Sequence, residues 1–239
     1  LEVLVFKQFM GQTSMGQEKR SGKMEYEGFM ELAKKRRSSW EFKPDPIPDD
    51  IIEKIIDAAR YAPSGFNSQP WEFIVIKEKE LRDRIRDIFA EHLPSQGVKP
   101  GMKDPMGFKT APVLIILYGD PRVRPFAPPP VRQNDDTWLS VLISSLAISF
   151  QYMHLAAVSL GLATKWVSAI NMPPIEQEVR TLLGIPEEFV AYDMMALGTS
   201  DFKFAVKKMR ALSEVIHYGQ CGLDDFRTVE EVRAYFTKG

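Results

Sequence analysis

The apolar positions of the chain change period from one segment to the next, and each period predicts an element. Residues 25–37 read as a helix ending in the basic turn Lys34-Lys35-Arg36-Arg37. After a Pro-rich link, Asp49 and Asp50 favour a helix start, because carboxylates complement the positive end of the helix dipole. Ile51, Ile52, Ile55, Ile56 and Ala59 then form its buried face. Residues 61–70 carry two prolines and a glycine, so they must be a loop. The loop runs into a strand over 71–77, and Leu81, Ile85, Ile88 and Phe89 line the helix that follows. Residues 93–110 lack periodicity and read as a mobile lid or a surface loop. Ala111–Tyr118 is a nearly continuous apolar run, the mark of a central buried strand. A proline-rich loop over 119–136 follows. Further strands are expected at 162–169 and 190–198, with a helix between them ended by Gly184. The tail holds a basic loop at 203–210 and an acidic helix near 228–236. Mixed elements without regular strand–helix alternation predict an α+β layered fold.

One stretch stands apart: Thr137 to Thr164 contains no Asp, Glu, Lys or Arg in 28 consecutive residues. Its length would suit a bilayer span. Yet Ser140, Ser144, Ala147, Gln151, His154 and Val158 recur at helical spacing as one small or polar stripe on an apolar cylinder. Small side chains admit a neighbouring backbone, and a buried Gln or His needs a hydrogen-bonding partner. The expectation is a central core helix, ended by Gly161, whose cover is completed by a second subunit. A core helix buried within one subunit and a membrane span are the alternatives.

Composition narrows the function classes. With 31 basic and 32 acidic residues the net charge is −1, which gives no long-range pull toward nucleic acid or an anionic membrane. Cys221 is the single cysteine, so no intrachain disulfide forms, and a reducing, cytoplasmic setting is expected. His92, His154 and His217 lie far apart, and their spacing indicates no metal site. Residues 1–23 are expected to form a flexible arm ahead of one domain over 24–239. Their glycines lack the pattern of a phosphate loop.

The candidate chemistry is sparse. Ser64 lacks a nucleophile elbow and a nearby base, so it reads as a loop serine. Cys221 has no activating neighbour in sequence. His154 reads as a hydrogen-bonded core residue. Two basic clusters frame the chain, Lys35-Arg36-Arg37-Ser38 and Lys207-Lys208-Met209-Arg210. A guanidinium fork can hold phosphate oxygens through two parallel hydrogen bonds.

These clusters belong to a longer ordered set. Arg36-Arg37-Ser38 with Phe42, then Pro63-Ser64-Gly65-Phe66-Asn67-Ser68-Gln69-Pro70-Trp71, follow one another in that order. Gly161-Leu162 with Trp166, Ala196-Leu197-Gly198, and Lys208 with Arg210 come after them. Over roughly 25–218 the chain resembles the nitroreductase family of flavin enzymes, and the Pro-Ser-Gly-x-Asn-Ser-Gln-Pro-Trp stretch is the most specific part. The resemblance implies an α+β homodimer with a mixed or antiparallel sheet and FMN bound between the subunits. It assigns Arg36, Ser38, Lys208 and Arg210 to the phosphate and ribityl end, with Arg37 and Trp40 also among the cofactor-binding residues. Pro63, Ser64 and Asn67 would approach from the partner. Lys165, Trp166, Val167, Ser168 and Ala169 would pass beside the ring, with the backbone N–H near Ser168 facing flavin N5.

The implied activity is a ping-pong oxidoreductase in which NAD(P)H gives hydride to the flavin and a small electron-poor acceptor, a nitroaromatic or a quinone, then takes it. The cofactor carries the chemistry, so no catalytic side chain is assigned. Reductive dehalogenation, flavin fragmentation and a flavin-binding protein with little turnover are the alternatives. One position departs from the family pattern: where a second Arg or Lys is usual, two residues after Ser38, this chain has Trp40. That cation sits where negative charge gathers on reduction, so Trp40 should lower the flavin potential or cover that edge, unless Arg37 or Lys103 substitutes.

Overall fold

A computed structural model of the chain describes residues 15–93 and 106–237. The arm expected over 1–23 lies largely outside the described residues, as do most of the 93–110 segment and Lys103. The chain divides into two compact units, one ending at Phe202 and one beginning at Lys203.

In the first unit the helices are α1 (Met15–Lys35), α2 (Asp49–Arg60), α3 (Lys79–His92), α4 (Pro129–Arg132), α5 (Asp135–Ser159) and α6 (Pro173–Leu183). The strands are β1 (Trp71–Ile76), β2 (Val113–Gly119), β3 (Ala163–Val167) and β4 (Val190–Gly198). They form one antiparallel sheet in the order β1-β2-β4-β3. The nearest thing to a parallel pairing is an isolated bridge between Ser38 and Thr164. The second unit contains α7 (Val229–Thr237).

The period of two along β2 builds two cores. Val113, Ile115 and Leu117 face α2 and α5, while Leu114, Ile116 and Tyr118 face α3 and α6. All of β2 is buried, as its unbroken apolar run requires.

α5 is the spine of the first core. Asn134 caps it, accepting from the Thr137 N–H at 2.8 Å, and Gly161 ends it at φ +77°. Trp138, Leu142, Leu146, Phe150 and Met153 are buried, each contributing about 1.5–3 kcal/mol. The helix is long and apolar enough to cross a membrane, but here its buried face packs inside the fold. At its first two positions the expected small-residue stripe lies outside the contacts made within this chain. Ser140 and Ser144 are exposed, and the serines that meet neighbouring backbone are Ser145 and Ser149. Ser145 accepts the Gly65 N–H at 3.1 Å, and Ser149 donates to the Ala59 carbonyl at 3.1 Å. Packing of α2 and its following loop decides this face, and residue size alone could not reveal it.

Two other expectations shift. The first helix begins at Met15 rather than at 25, because Gln17, Glu18, Lys19 and Arg20 are good helix formers. The 119–136 loop contains a 3₁₀ segment at Pro121–Phe126 and the short α4, where prolines at the first helical positions support a start rather than a break.

The loop after α2 approaches α5 closely. A Cβ on Gly65 would lie 2.3 Å from Val141 Cγ1, well inside contact distance. Gly65→Ala should therefore lower the unfolding free energy by about 1–3 kcal/mol in a urea titration. Val141→Ala in that background should recover much of the loss.

Candidate functional site

The segment after α1 is stitched to the edge of the sheet. Ser38 bridges Thr164, the Ser39 N–H donates to the Thr164 carbonyl at 2.8 Å, and the Lys43 N–H donates to the Thr199 carbonyl at 2.8 Å. Ser39 is fully buried, its hydroxyl donating to the Glu41 carbonyl at 2.7 Å. This stitching brings Arg36, Arg37 and Ser38 to the start of β3, more than a hundred residues on in sequence.

Arg36 is half-buried, and its pKa is lowered, first by burial and then by the neighbouring Arg37 charge. Among the described residues no carboxylate pairs with it. A partly desolvated guanidinium without a carboxylate partner is one that an anion would complete.

His154 of α5 lies behind this cluster. It is fully buried, its Nδ1 lies 2.7 Å from Thr164 Oγ1, and its ring stacks on Trp166 with centroids 6.0 Å apart. Nε2 is buried with no hydrogen-bond partner among the described residues. Burial first, and then the Arg36 charge, push its pKa from 6.5 down to about 3. The ring is therefore neutral, and the positive charge of the site stays on arginine.

Trp40 does not point into the core; it is 37% exposed. The buried Lys165 ammonium of β3 lies 3.0 Å from the centre of its ring. Gly107, at φ +66°, packs against both, since a Cβ there would lie 2.6 Å from Lys165 Nζ and 2.6 Å from the Trp40 ring. A cation thus stands beside position 40, supplied by the strand; Lys103, one of the two residues expected to supply it, lies outside the described residues. Sequence spacing held no signal for this, because 125 positions separate the two residues.

The remaining candidates are placed as follows. Pro63 and Asn67 are exposed and Ser64 half-buried in the loop after α2, where Ser64 Oγ accepts the Gln69 N–H at 3.0 Å. Phe66, Asn67 and Gln69 all have positive φ, so three non-glycine residues within four positions carry backbone strain, a feature of functional loops. Trp166 and Ser168 are exposed, Val167 is buried and Ala169 half-buried. Lys208 and Arg210 belong to the second unit. There the Lys208 ammonium lies 4.9 Å from the Tyr235 ring centre, and Arg210 donates to the Glu214 carbonyl.

Two groupings escaped sequence reasoning. Asp193 accepts from Trp166 Nε1 at 2.6 Å and from Asn171 Nδ2 at 3.0 Å. Glu91, His92 and Glu178 bring ligand-type atoms within 4.8 Å of one another across α3 and α6, with His92 Nε2 2.6 Å from Glu178 Oε1.

Comparison with known proteins follows the same outline. The sequence profile of the nitroreductase family matches residues 33–199. The chain belongs to the nitroreductase family. A protein of Methanothermobacter thermautotrophicus provisionally named NADH dehydrogenase/NAD(P)H nitroreductase is 28% identical over 179 residues, covering 74% of this chain and 80% of that one. Iodotyrosine deiodinase 1 of Rattus norvegicus is 29% identical over 192 residues, covering 74% of this chain and 63% of that one. In fold, the chain is similar to an FMN-dependent nitroreductase from Clostridium difficile R20291, with a TM-score of 0.61, 24% identity and coverage of 80% and 98%. This nitroreductase-family member is an oxidoreductase, with the α+β fold of its relatives.

The buried neutral His154 carries a pH signature. Between about 3 and 6.5 the unfolded chain binds more protons at this residue than the folded one. Its contribution to stability is thus present above 6.5 and is lost as the pH falls toward 3. The melting temperature of His154→Gln should accordingly fall less than that of the wild type between pH 7 and pH 4.5.

Proposed function

We propose that this protein is an FMN-dependent oxidoreductase that takes hydride from NAD(P)H and delivers it to a small electron-poor acceptor, a nitroaromatic or a quinone. The observation that carries the reading is the Arg36 site: a half-buried guanidinium beside Arg37, with no carboxylate partner among the described residues, held next to Ser38 by the bridge to Thr164. These residues fit a phosphate monoester, which would offer the Arg36 guanidinium negative charge and acceptor oxygens.

In this reading Arg36, Arg37 and Ser38 hold the phosphate and ribityl end. Lys165, Trp166, Val167, Ser168 and Ala169 flank the ring system. Bound FMN would supply the hydride chemistry between donor and acceptor, which occupy the site in turn. The protein's own part is to bind, orient and set the local field.

A homodimer is part of the same proposal. α5 leaves Leu139, Ile143, Ile148 and Tyr152 between 36% and 50% exposed in the single chain. A second copy laid along α5 would cover these apolar side chains and bring its own Pro63, Ser64 and Asn67 to the site. The lone cysteine and balanced charge suit a cytoplasmic enzyme with no nucleic-acid or membrane partner.

A second reading, reductive removal of halogen from an aromatic ring, draws support from the relatives named iodotyrosine deiodinase in Rattus norvegicus and Thermotoga neapolitana. Mixing the purified protein with NADH and NADPH separately should bleach its yellow absorption with at least one donor. Adding a nitroaromatic, a quinone or an iodinated phenol then separates the two readings, with released iodide marking the second. A colourless protein that stays so when FMN is supplied would sink both.

Two variants probe the site. Arg36→Ala should weaken FMN binding by about tenfold or more, the worth of a charge-assisted hydrogen bond, in a fluorescence titration. Trp40→Arg should raise the flavin midpoint potential by about 30 mV, equivalent to a tenfold change in a two-electron equilibrium. An unchanged or lower midpoint would show that Trp40 does not limit the charge at that edge, a result that would turn attention to Lys165.

A further inference from the structure

β4 carries an irregularity opposite β2. Leu117 pairs with Asp193 but Tyr118 pairs with Ala191, so Tyr192 is an extra residue in the ladder. A bulge of this kind re-aims side chains. Tyr192 packs its ring against Phe150 of α5, with centroids 5.7 Å apart. Asp193 is turned to the same face, where it is only 4% exposed.

A carboxylate buried among aromatic rings is costly unless its oxygens are satisfied. Here each oxygen receives one N–H. Oδ2 accepts from Trp166 Nε1 at 2.6 Å, and Oδ1 accepts from Asn171 Nδ2 at 3.0 Å. Two donors facing two acceptors match the ionised form alone. A protonated carboxyl, or an amide in its place, would turn a hydrogen toward one of the donors and lose that bond. The bonded indole is held further by its neighbours. Its ring meets Phe150 edge-on at 5.3 Å and stacks on His154 at 6.0 Å, and His154 in turn reaches Thr164. Thr164 is the residue that bridges Ser38. A continuous path of contacts therefore joins Asp193 to the edge of the Arg36 cluster.

We propose that Asp193 is a positioning residue of the cofactor site: by binding the Trp166 indole N–H while Asn171 holds its other oxygen, it sets the Trp166 ring and keeps β3 in register as the wall of that site. The proposal rests on the FMN reading given above. Nothing in the pattern of residues 190–198 marks this position, since the bulge exists only in the paired sheet.

The groups around Asp193 explain why its protonation is a usable probe. Trp166 and Asn171 stabilise the charge, while burial is the larger influence and pushes the pKa up to about 6. His154, behind the indole, is neutral, and Arg36 acts on that histidine. The Tyr192 phenol is raised by burial and by Asp193 itself. On α6, which packs near Asn171, Arg180 and Glu176 are paired with each other.

The test follows the indole N–H signals of the full-length protein by nitrogen–proton NMR. The chain has four tryptophans, and Trp166→Phe identifies the resonance of interest. In the wild type that resonance should lie downfield and shift with a midpoint near pH 6; in Asp193→Asn the shift should vanish. At pH 7.5 both Asp193→Asn and Asp193→Leu should raise the Kd for FMN, by about tenfold for the leucine variant. The asparagine variant guards against a leucine variant that fails to fold. A Trp166 resonance that stays still, or that moves equally in Asp193→Asn, overturns the proposal. So does a normal titration with an unchanged Kd for FMN, which would reduce the bond to packing. Failure of the wild type to bind FMN overturns the functional reading and this role with it. That outcome is recognised by the titration curve surviving without any cofactor.

Discussion

The apolar body of α5, uncharged from Thr137 onward, must be covered, and the architecture of the first unit follows from how that is done. Its large apolar side chains meet the alternate positions of β2 and β4 on one side and the isoleucines of α2 on another. Because α5 carries no charge beyond its first turn, the loop after α2 can settle on it in close contact, with Gly65 over Val141 and its N–H on Ser145. The same helix delivers His154 to the start of β3. Burial there holds the imidazole neutral, and the ring becomes a rigid backing for Trp166. One hydrophobic constraint thus positions the loop and the strand on which the site depends.

Electrostatics works inside that frame at short range. The net charge of −1 provides no field to speak of, so recognition rests on a few desolvated groups. Arg36 is held half out of water beside Arg37, and Lys165 is buried against Trp40. Each is a cation whose hydration has been partly removed by packing, which strengthens its interaction with an incoming anion or with charge that develops nearby. Asp193 is the counterpart of opposite sign, kept ionised near neutral pH by two N–H donors against the cost of burial.

Much of this was legible in the residue order. The strand at 190–198 coincides with β4, the uncharged stretch became α5, and Gly161 and Gly184 end their helices in the left-handed region as glycine permits. The ordered motifs pointed to the family to which the chain belongs. Local signals of this kind survive because period, caps and turn residues act over a few positions.

What escaped had a common cause. The hydrogen bonds of Ser145 and Ser149 to Gly65 and Ala59, the lysine under Trp40, and the Asp193–Trp166–Asn171 clamp are all contacts between segments remote in sequence. The amino-acid sequence alone settled which segments are helix or strand and which residue types are available for binding an anion, since those follow from local periodicity and side-chain chemistry. Only the tertiary structure decided which cation stands beside position 40, which carboxylate is buried and which imidazole stays neutral. Desolvation and pairing are properties of the packed neighbourhood, and that neighbourhood exists only once the sheet and α5 have closed on each other.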